Sequence, residues 1–309
     1  MTLLNTTNLA NTTPTSSPSP IAKTVSTRPL GAHMPCTDGV KSTLTSGVEI
    51  GCTAVQLFTN TPKQWSYHSF KPEVIEPFLE AQKTLQIPFL VSHDSYLINL
   101  ASPNEEGMTK SRKAFRAELD RAEQLGLSWV VTHMGAHLGT GTDAAIDRLI
   151  ESISLILADT DALGYKVGVA LETTAGQGTG LGATFEELGR VLDGVGANPR
   201  LGVCLDTCHI FVAGYDFRTP ETYQETWDKF EELIGRDRLK LIHANDAKMP
   251  FASRKDRHEH IGEGEIGEEG FRLLLNDPLL AHVPVIVETP DSEEMHRVNV
   301  ARLRALSIT

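Results

Sequence analysis

Short apolar, β-branched runs recur along the chain, and six of them close on a polar side chain: PFLVSHD on His93, WVVTHMG on His133, VGVALETT on Glu172, LGVCLDTCH on Asp206, LKLIHAND on His243 and PVIVETP on Glu288. Continuous apolar runs bounded by turn residues read as strands buried on both faces. Polar groups that close so many of them mark a ring of ligands. Between the runs, apolar positions recur with helical period, as in EEGMTKSRKAFRAELDRAEQLG, GTDAAIDRLIESISLILADTDALG and PETYQETWDKFEELIG. PLGAHMP and AVQLFT add two strands upstream, so strand and helix alternate throughout. Strands spaced by roughly 25 to 45 residues predict an α/β fold, a parallel (β/α)8 TIM barrel with its chemistry at the C-terminal strand ends. The six polar residues fall there.

Such a barrel uses about 250 residues as one unit, and no interior linker interrupts the alternation in this chain of 309 residues. One catalytic domain is expected over residues 29–309. Residues 1–28 are rich in Ser, Thr, Asn and Pro and hold no acidic residue, which predicts a disordered tail. Their acid-poor composition resembles an organelle transit peptide, while the few Arg residues count against it, so organelle targeting stays open. No apolar stretch reaches the roughly 20 residues that span a bilayer. Four cysteines without a CxxC pair fit a reducing compartment. A cytoplasmic monomer, near the nucleoid in a bacterium, is expected. Cys204 and Cys208 flank Asp206 in a run of strict alternation, which places all three on one side, with the cysteines as small core fillers.

A net charge of −12 speaks by itself against a nucleic-acid partner. The segment KMPFASRKDRHEH pushes back, because it gathers Lys248, Arg254, Lys255 and Arg257. Bound divalent ions at the barrel mouth would dominate the local field and could engage phosphate there.

A lone histidine at a strand end is usually packed or hydrogen-bonded. Six polar strand ends together point elsewhere, since imidazole and carboxylate are the donors of catalytic zinc sites. A metal-free cluster would press several carboxylates together in low dielectric. His209 follows Asp206 just past its strand, and Asp256 and His258 stand two residues apart, so in an extended segment they project to one side. His260 shares that side, and spacing does not choose between the two histidines. Gly262-Glu-Gly264-Glu-Ile-Gly267 matches GxGxxG, but Glu263 and Glu265 would repel a pyrophosphate, and it reads as a turn. The run TAGQGTGLG after Glu172 reads as a strand-to-helix loop whose glycines allow close backbone approach.

The segments HDSYLINLASP, ETTAGQGTGLG, VCLDTCHIFVAGYDFRTP, HANDAKMPFASRKDRHEHIGEGEIG and VIVETP resemble the endonuclease IV family, the zinc-dependent type II abasic-site endonucleases. The resemblance runs from about Pro29 to the C-terminal region. It implies a TIM barrel with a three-zinc centre. His93, His133 and Glu172 would bind a first zinc. Glu172 would bridge to a second, held also by Asp206, His243 and Glu288, and His209, Asp256 and His258 would bind the third. Glu172 and Glu288 are then the catalytic carboxylates. The family also implies DNA contacts at Gln64 and Tyr96, which correspond to residues that wedge into the duplex, and Lys248, Arg254 and Arg257 of the basic segment are expected to bind DNA as well. Lys63 stands where the family usually has Arg, which keeps the charge and loses the stacking guanidinium. Met34 to Gly39 replace the family's small-residue run after the first strand, and His33 before them reads as a supporting residue.

The implied reaction is hydrolysis of duplex DNA 5′ to an abasic site by a metal-activated water. It leaves a 3′-hydroxyl and a 5′-deoxyribose phosphate, with removal of 3′-blocking groups as a second activity. Two other readings compete: a divalent-metal sugar isomerase or epimerase on a related barrel, and a non-catalytic lesion-binding or metal-storage protein. The first predicts two metals and gives no role to Asp256 and His258. The second has no use for a bridging carboxylate.

Overall fold

The structure is a computed structural model and describes residues 28–307. The expectation for the leading segment therefore lies outside the described residues, except at Arg28. That side chain is buried, and its guanidinium reaches the carbonyls of Leu274 and Ala281.

Eight parallel strands close into a barrel. In chain order they are β1 (Leu30–His33), β2 (Ala54–Phe58), β3 (Phe89–His93), β4 (Trp129–His133), β5 (Gly168–Glu172), β6 (Leu201–Asp206) and β7 (Leu239–His243), and then, after a small hairpin of β8 (Asp246–Ala247) and β9 (His258–Glu259), β10 (Val285–Val287). β10 pairs with both β7 and β1, which completes the ring. The helices between them are α1 (Val40–Glu49), α2 (Pro72–Leu85), α3 (Glu105–Gln124), α4 (Thr142–Ala162), α5 (Phe185–Val195), α6 (Thr207–Ala213), α7 (Pro220–Leu233) and α8 (Gly267–Asn276), with α9 (Ser292–Leu306) closing the chain.

The apolar runs are continuous because each strand is covered on both sides. Outward residues such as Val55, Leu90, Val130, Val169, Val203 and Ile242 join the helices in one large core. Inward residues Ala54, Val91, Val131, Ala170, Cys204, Leu241 and Ile286 form a separate layer inside the barrel. β1 contributes no side chain at that level, since a Cβ on Gly31 would meet the Ala54 carbonyl oxygen at 1.6 Å.

Helix starts are set locally. Asn104 accepts the amide of Gly107 at 2.7 Å to cap α3, and Thr219 with Thr222 forms a reciprocal cap ahead of Pro220 at the start of α7. On α3 a buried pair, Arg121 and Glu118 at 2.5 Å, reaches back to Thr59 and to the carbonyl of His68, and so supports the loop after β2. Among the described residues, no helix is long and apolar enough to cross a membrane.

The pattern of runs did not reveal the antiparallel pairing of β8 with β9. The connection between them carries the basic segment and Asp256 beside the barrel mouth. Strict alternation also fails at Cys208. β6 ends at Asp206, whose side chain accepts the His209 amide at 2.8 Å and caps α6, so Cys208 is a helical residue. Both cysteines are fully buried.

Candidate metal centre

In a strand, residues i and i+2 point to the same face. Two positions beyond the inner apolar layer, the strands present Gln56, His93, His133, Glu172, Asp206, His243 and Glu288, and β1 adds His33 two beyond Gly31. The sheet register levels them: His133 lies beside Glu172, and Asp206 beside His243. One polar ring of eight side chains therefore stands on an apolar floor.

Glu172 is at its centre. Oε2 lies 3.0 Å from Nε2 of both His93 and His133, and Oε1 lies 2.9 Å from Nδ1 of His243. Glu288 Oε2 reaches the same His243 nitrogen at 3.1 Å. Beside this group, His209 Nε2 is 3.1 Å from Asp256 Oδ2, and His258 Nε2 is 3.3 Å from Asp256 Oδ1 and 3.7 Å from Asp206 Oδ2. His260 turns away, with Nδ1 3.1 Å from the Asn299 amide. The geometry thus brings His258, and not His260, to the cluster.

Burial alone would raise the Glu172 carboxyl, yet His243 and His133 hold it well below the usual carboxylate range. Glu288 is likewise held low against its burial, chiefly by His243. The imidazoles move the other way. Burial opposes charge on His93 and His209, but hydrogen bonding to Glu172 helps lift His93 to about 9, and Asp206 and Asp256 lift His209 to about 10. These are protons that a divalent cation would displace.

The donor set fits such cations. His93, His133 and Glu172 offer ligand atoms within 4.8 Å of one another, as do Glu172, Asp206, His243 and Glu288, and as do Asp206, His209 and His258. Nδ1 of His93, His209 and His258 faces the carbonyl oxygens of Asp94, Thr173 and Glu288 at 3.0, 2.8 and 3.1 Å. A proton on Nδ1 there leaves the Nε2 electron pair aimed into the cluster, the arrangement that orients metal-bound histidines. Nε2 of His258 is buried and makes no well-aligned hydrogen bond to the carboxylates 3.3 and 3.7 Å away, which leaves it open to a ligand.

Above the ring opens a cavity of about 350 Å³, lined by residues of the cluster together with Met34, Pro35, Phe58 and Tyr96. Tyr96 is 60% exposed and stands edge-on to Phe58. Lys63 and Gln64 are exposed on the loop after β2, and Ser95 Oγ ties that loop to Tyr96's by donating to the Pro62 carbonyl at 2.7 Å. Lys248, Arg254 and Arg257 are exposed in and beside the β8–β9 connection. The Arg257 guanidinium turns back to the carbonyl of Asp256, and Lys248 Nζ lies 3.8 Å from Glu259.

The GxGxxG segment is a turn that wraps an anion of its own: amides of Gly262, Gly264, Ile266 and Gly267 donate to the Asp246 carboxylate. The reading of the sequence left out three supporting residues. Asn245 donates to Asp206 Oδ2 at 2.7 Å and accepts the Glu288 amide at 2.7 Å; Thr173 Oγ1 accepts the Asp206 amide at 2.9 Å; and Gln56 lies within the ring itself. Alternation from Ala54 was the available signal for Gln56.

Residues 45–306 match the family of xylose isomerase-like TIM barrels. The chain is 46% identical over 278 residues to a protein of Chloroflexus aggregans named probable endonuclease 4, covering 89% of this chain and 96% of that one. It is 43% identical over 280 residues to the protein of the same name from Geobacter sulfurreducens, covering 90% and 94%. Among solved structures, endonuclease IV from Thermus thermophilus superposes with a TM-score of 0.79 at 31% identity, over 90% of this chain and 98% of that one. A D-tagatose 3-epimerase-like protein shares the fold, with a TM-score of 0.68 at 21% identity over 89% and 95%. Similarity at this level over nearly the whole barrel, together with the ring of donors at its mouth, places the chain in the endonuclease IV family of xylose isomerase-like TIM barrels.

Proposed function

We propose that this protein is a DNA-repair endonuclease that hydrolyses the phosphodiester bond 5′ to abasic sites in duplex DNA, with removal of 3′-blocking groups as a second activity. The observation that carries the reading is the set of overlapping donor groups sharing Glu172 and Asp206 at the floor of an open cavity. Three zinc ions are the cofactors that this donor set suits. Bound there, divalent ions supply Lewis acidity toward the phosphodiester and an activated water near neutral pH.

The chain's own residues do the rest. Glu172 faces both His93/His133 and His243, so one carboxylate can serve two ions. Asp206, His243 and Glu288 would complete the second site with Glu172, and His209, Asp256 and His258 would hold a third ion. Tyr96, Gln64 and Lys63 act on the duplex, while Lys248, Arg254 and Arg257 meet phosphates. An abasic sugar has no base to unstack, so turning it toward the cavity costs less than turning out an intact nucleotide.

A sugar isomerase of the same fold needs neither Asp256 with His258 nor exposed cations beside them. An oligonucleotide duplex with one abasic site tests the reading. Incision on its 5′ side with 3′-hydroxyl and 5′-deoxyribose phosphate ends is expected; aldose–ketose conversion without incision would overturn it.

A further inference from the structure

Gln56 on β2 is fully buried and occupies the ring position that the other strands give to donors. Its amide points in one direction only. Nε2 donates to Glu288 Oε1 at 2.5 Å, and Oε1 accepts from His243 Nε2 at 2.8 Å. The reverse orientation would set the amide oxygen against the carboxylate, so Glu288 fixes the amide and the amide fixes His243. Nε2 of His243 then keeps its proton, and the Nδ1 proton, shared with Glu172 Oε1 at 2.9 Å and Glu288 Oε2 at 3.1 Å, is the one a metal ion would replace.

This inverts the arrangement at His93, His209 and His258, where backbone carbonyls take Nδ1 and leave Nε2 for the cluster. At His243 a side-chain amide takes the place of the carbonyl. We propose that Gln56 is a positioning residue that selects the tautomer through which His243 offers Nδ1 to a metal ion, and that it steadies Glu288 for the same ion. The proposal rests on the reading that His243 and Glu288 hold a metal.

The test combines nitrogen-15 NMR of the histidine rings in the zinc-loaded protein with chelator competition for zinc. The wild type is expected to show His243 protonated at Nε2 and metal-bound at Nδ1. Gln56→Met keeps the volume and removes both of these bonds along with the contact of Nε2 to His33 Nδ1 at 2.9 Å. It is expected to lose the protected Nε2 proton signal and to hold zinc about 10- to 100-fold more weakly, the usual scale for a lost supporting partner. Gln56→Glu keeps an acceptor for His243 and is expected to keep the Nε2 proton signal, which decides the matter should Gln56→Met fail to fold. An unchanged His243 spectrum and unchanged zinc affinity in Gln56→Met would overturn the role of Gln56 alone, as would loss of the Nε2 signal in Gln56→Glu. A wild type that takes up no zinc at His243 would overturn the metal reading and this role with it.

Discussion

The Glu172 carboxylate and the His243 imidazole meet at 2.9 Å, and neither side chain is open to solvent. Ring partners this close and this dry are expensive as isolated charges, and they make sense as two donors to a common cation. Glu172→Gln is therefore expected to lower cleavage by at least about 100-fold, the upper scale already reached by residues that only support a metal ligand. Its circular dichroism should stay that of the wild type. Turnover near the wild-type level at saturating DNA would remove Glu172 from the centre.

Tyr96 presents its ring to solvent above the cavity while Phe58 supports it from the side. Loss of one base–aromatic stacking contact is worth about 1 to 3 kcal/mol. Tyr96→Ala is thus expected to lower kcat/KM on abasic duplex by about tenfold or more, with metal content unchanged. Cleavage at the wild-type rate would mean that this loop does not engage DNA.

Arg121 and Glu118 form a buried pair behind the loop that carries Lys63 and Gln64. Removing one partner leaves the other charge unpaired, at a cost of about 3 to 5 kcal/mol. Arg121→Met should therefore lower the melting temperature clearly. The double variant Arg121→Met, Glu118→Leu should recover much of the loss. Equal stabilities for the single and double variants would show that the pair contributes nothing beyond packing.

His296 is buried beside the cavity, and burial depresses its imidazole from 6.5 to about 4. The folded state therefore holds it neutral, while the unfolded chain binds a proton below about pH 6.5. A depressed folded value contributes stability that is fully present above pH 6.5 and fades as pH falls toward 4. Chemical denaturation of wild type and His296→Gln across that window should show the wild type losing its advantage as pH falls. Parallel curves would contradict a neutral buried His296.

Much of the centre could be read from the sequence because each ligand on a barrel strand interrupts an apolar run at its end. His93, His133 and Glu172 stand out for that reason. Gln56 did not, because AVQLFT shows a polar residue in mid-strand, and its alternation from Ala54 becomes telling once the common level of the inner layer is known. Asp256 and His258 were legible as a pair but not as part of a hairpin, since two-residue strands leave no periodic trace. Cys208 was misplaced because the strand-to-helix change at Asp206 falls inside one short apolar run, where alternation gives no warning.

The central claim is the three-metal centre, and elemental analysis of the purified, active protein tests it most directly. About three zinc or other transition-metal ions per chain are expected, with abasic-duplex cleavage that needs no added magnesium. An active chain that holds at most one such ion would contradict it.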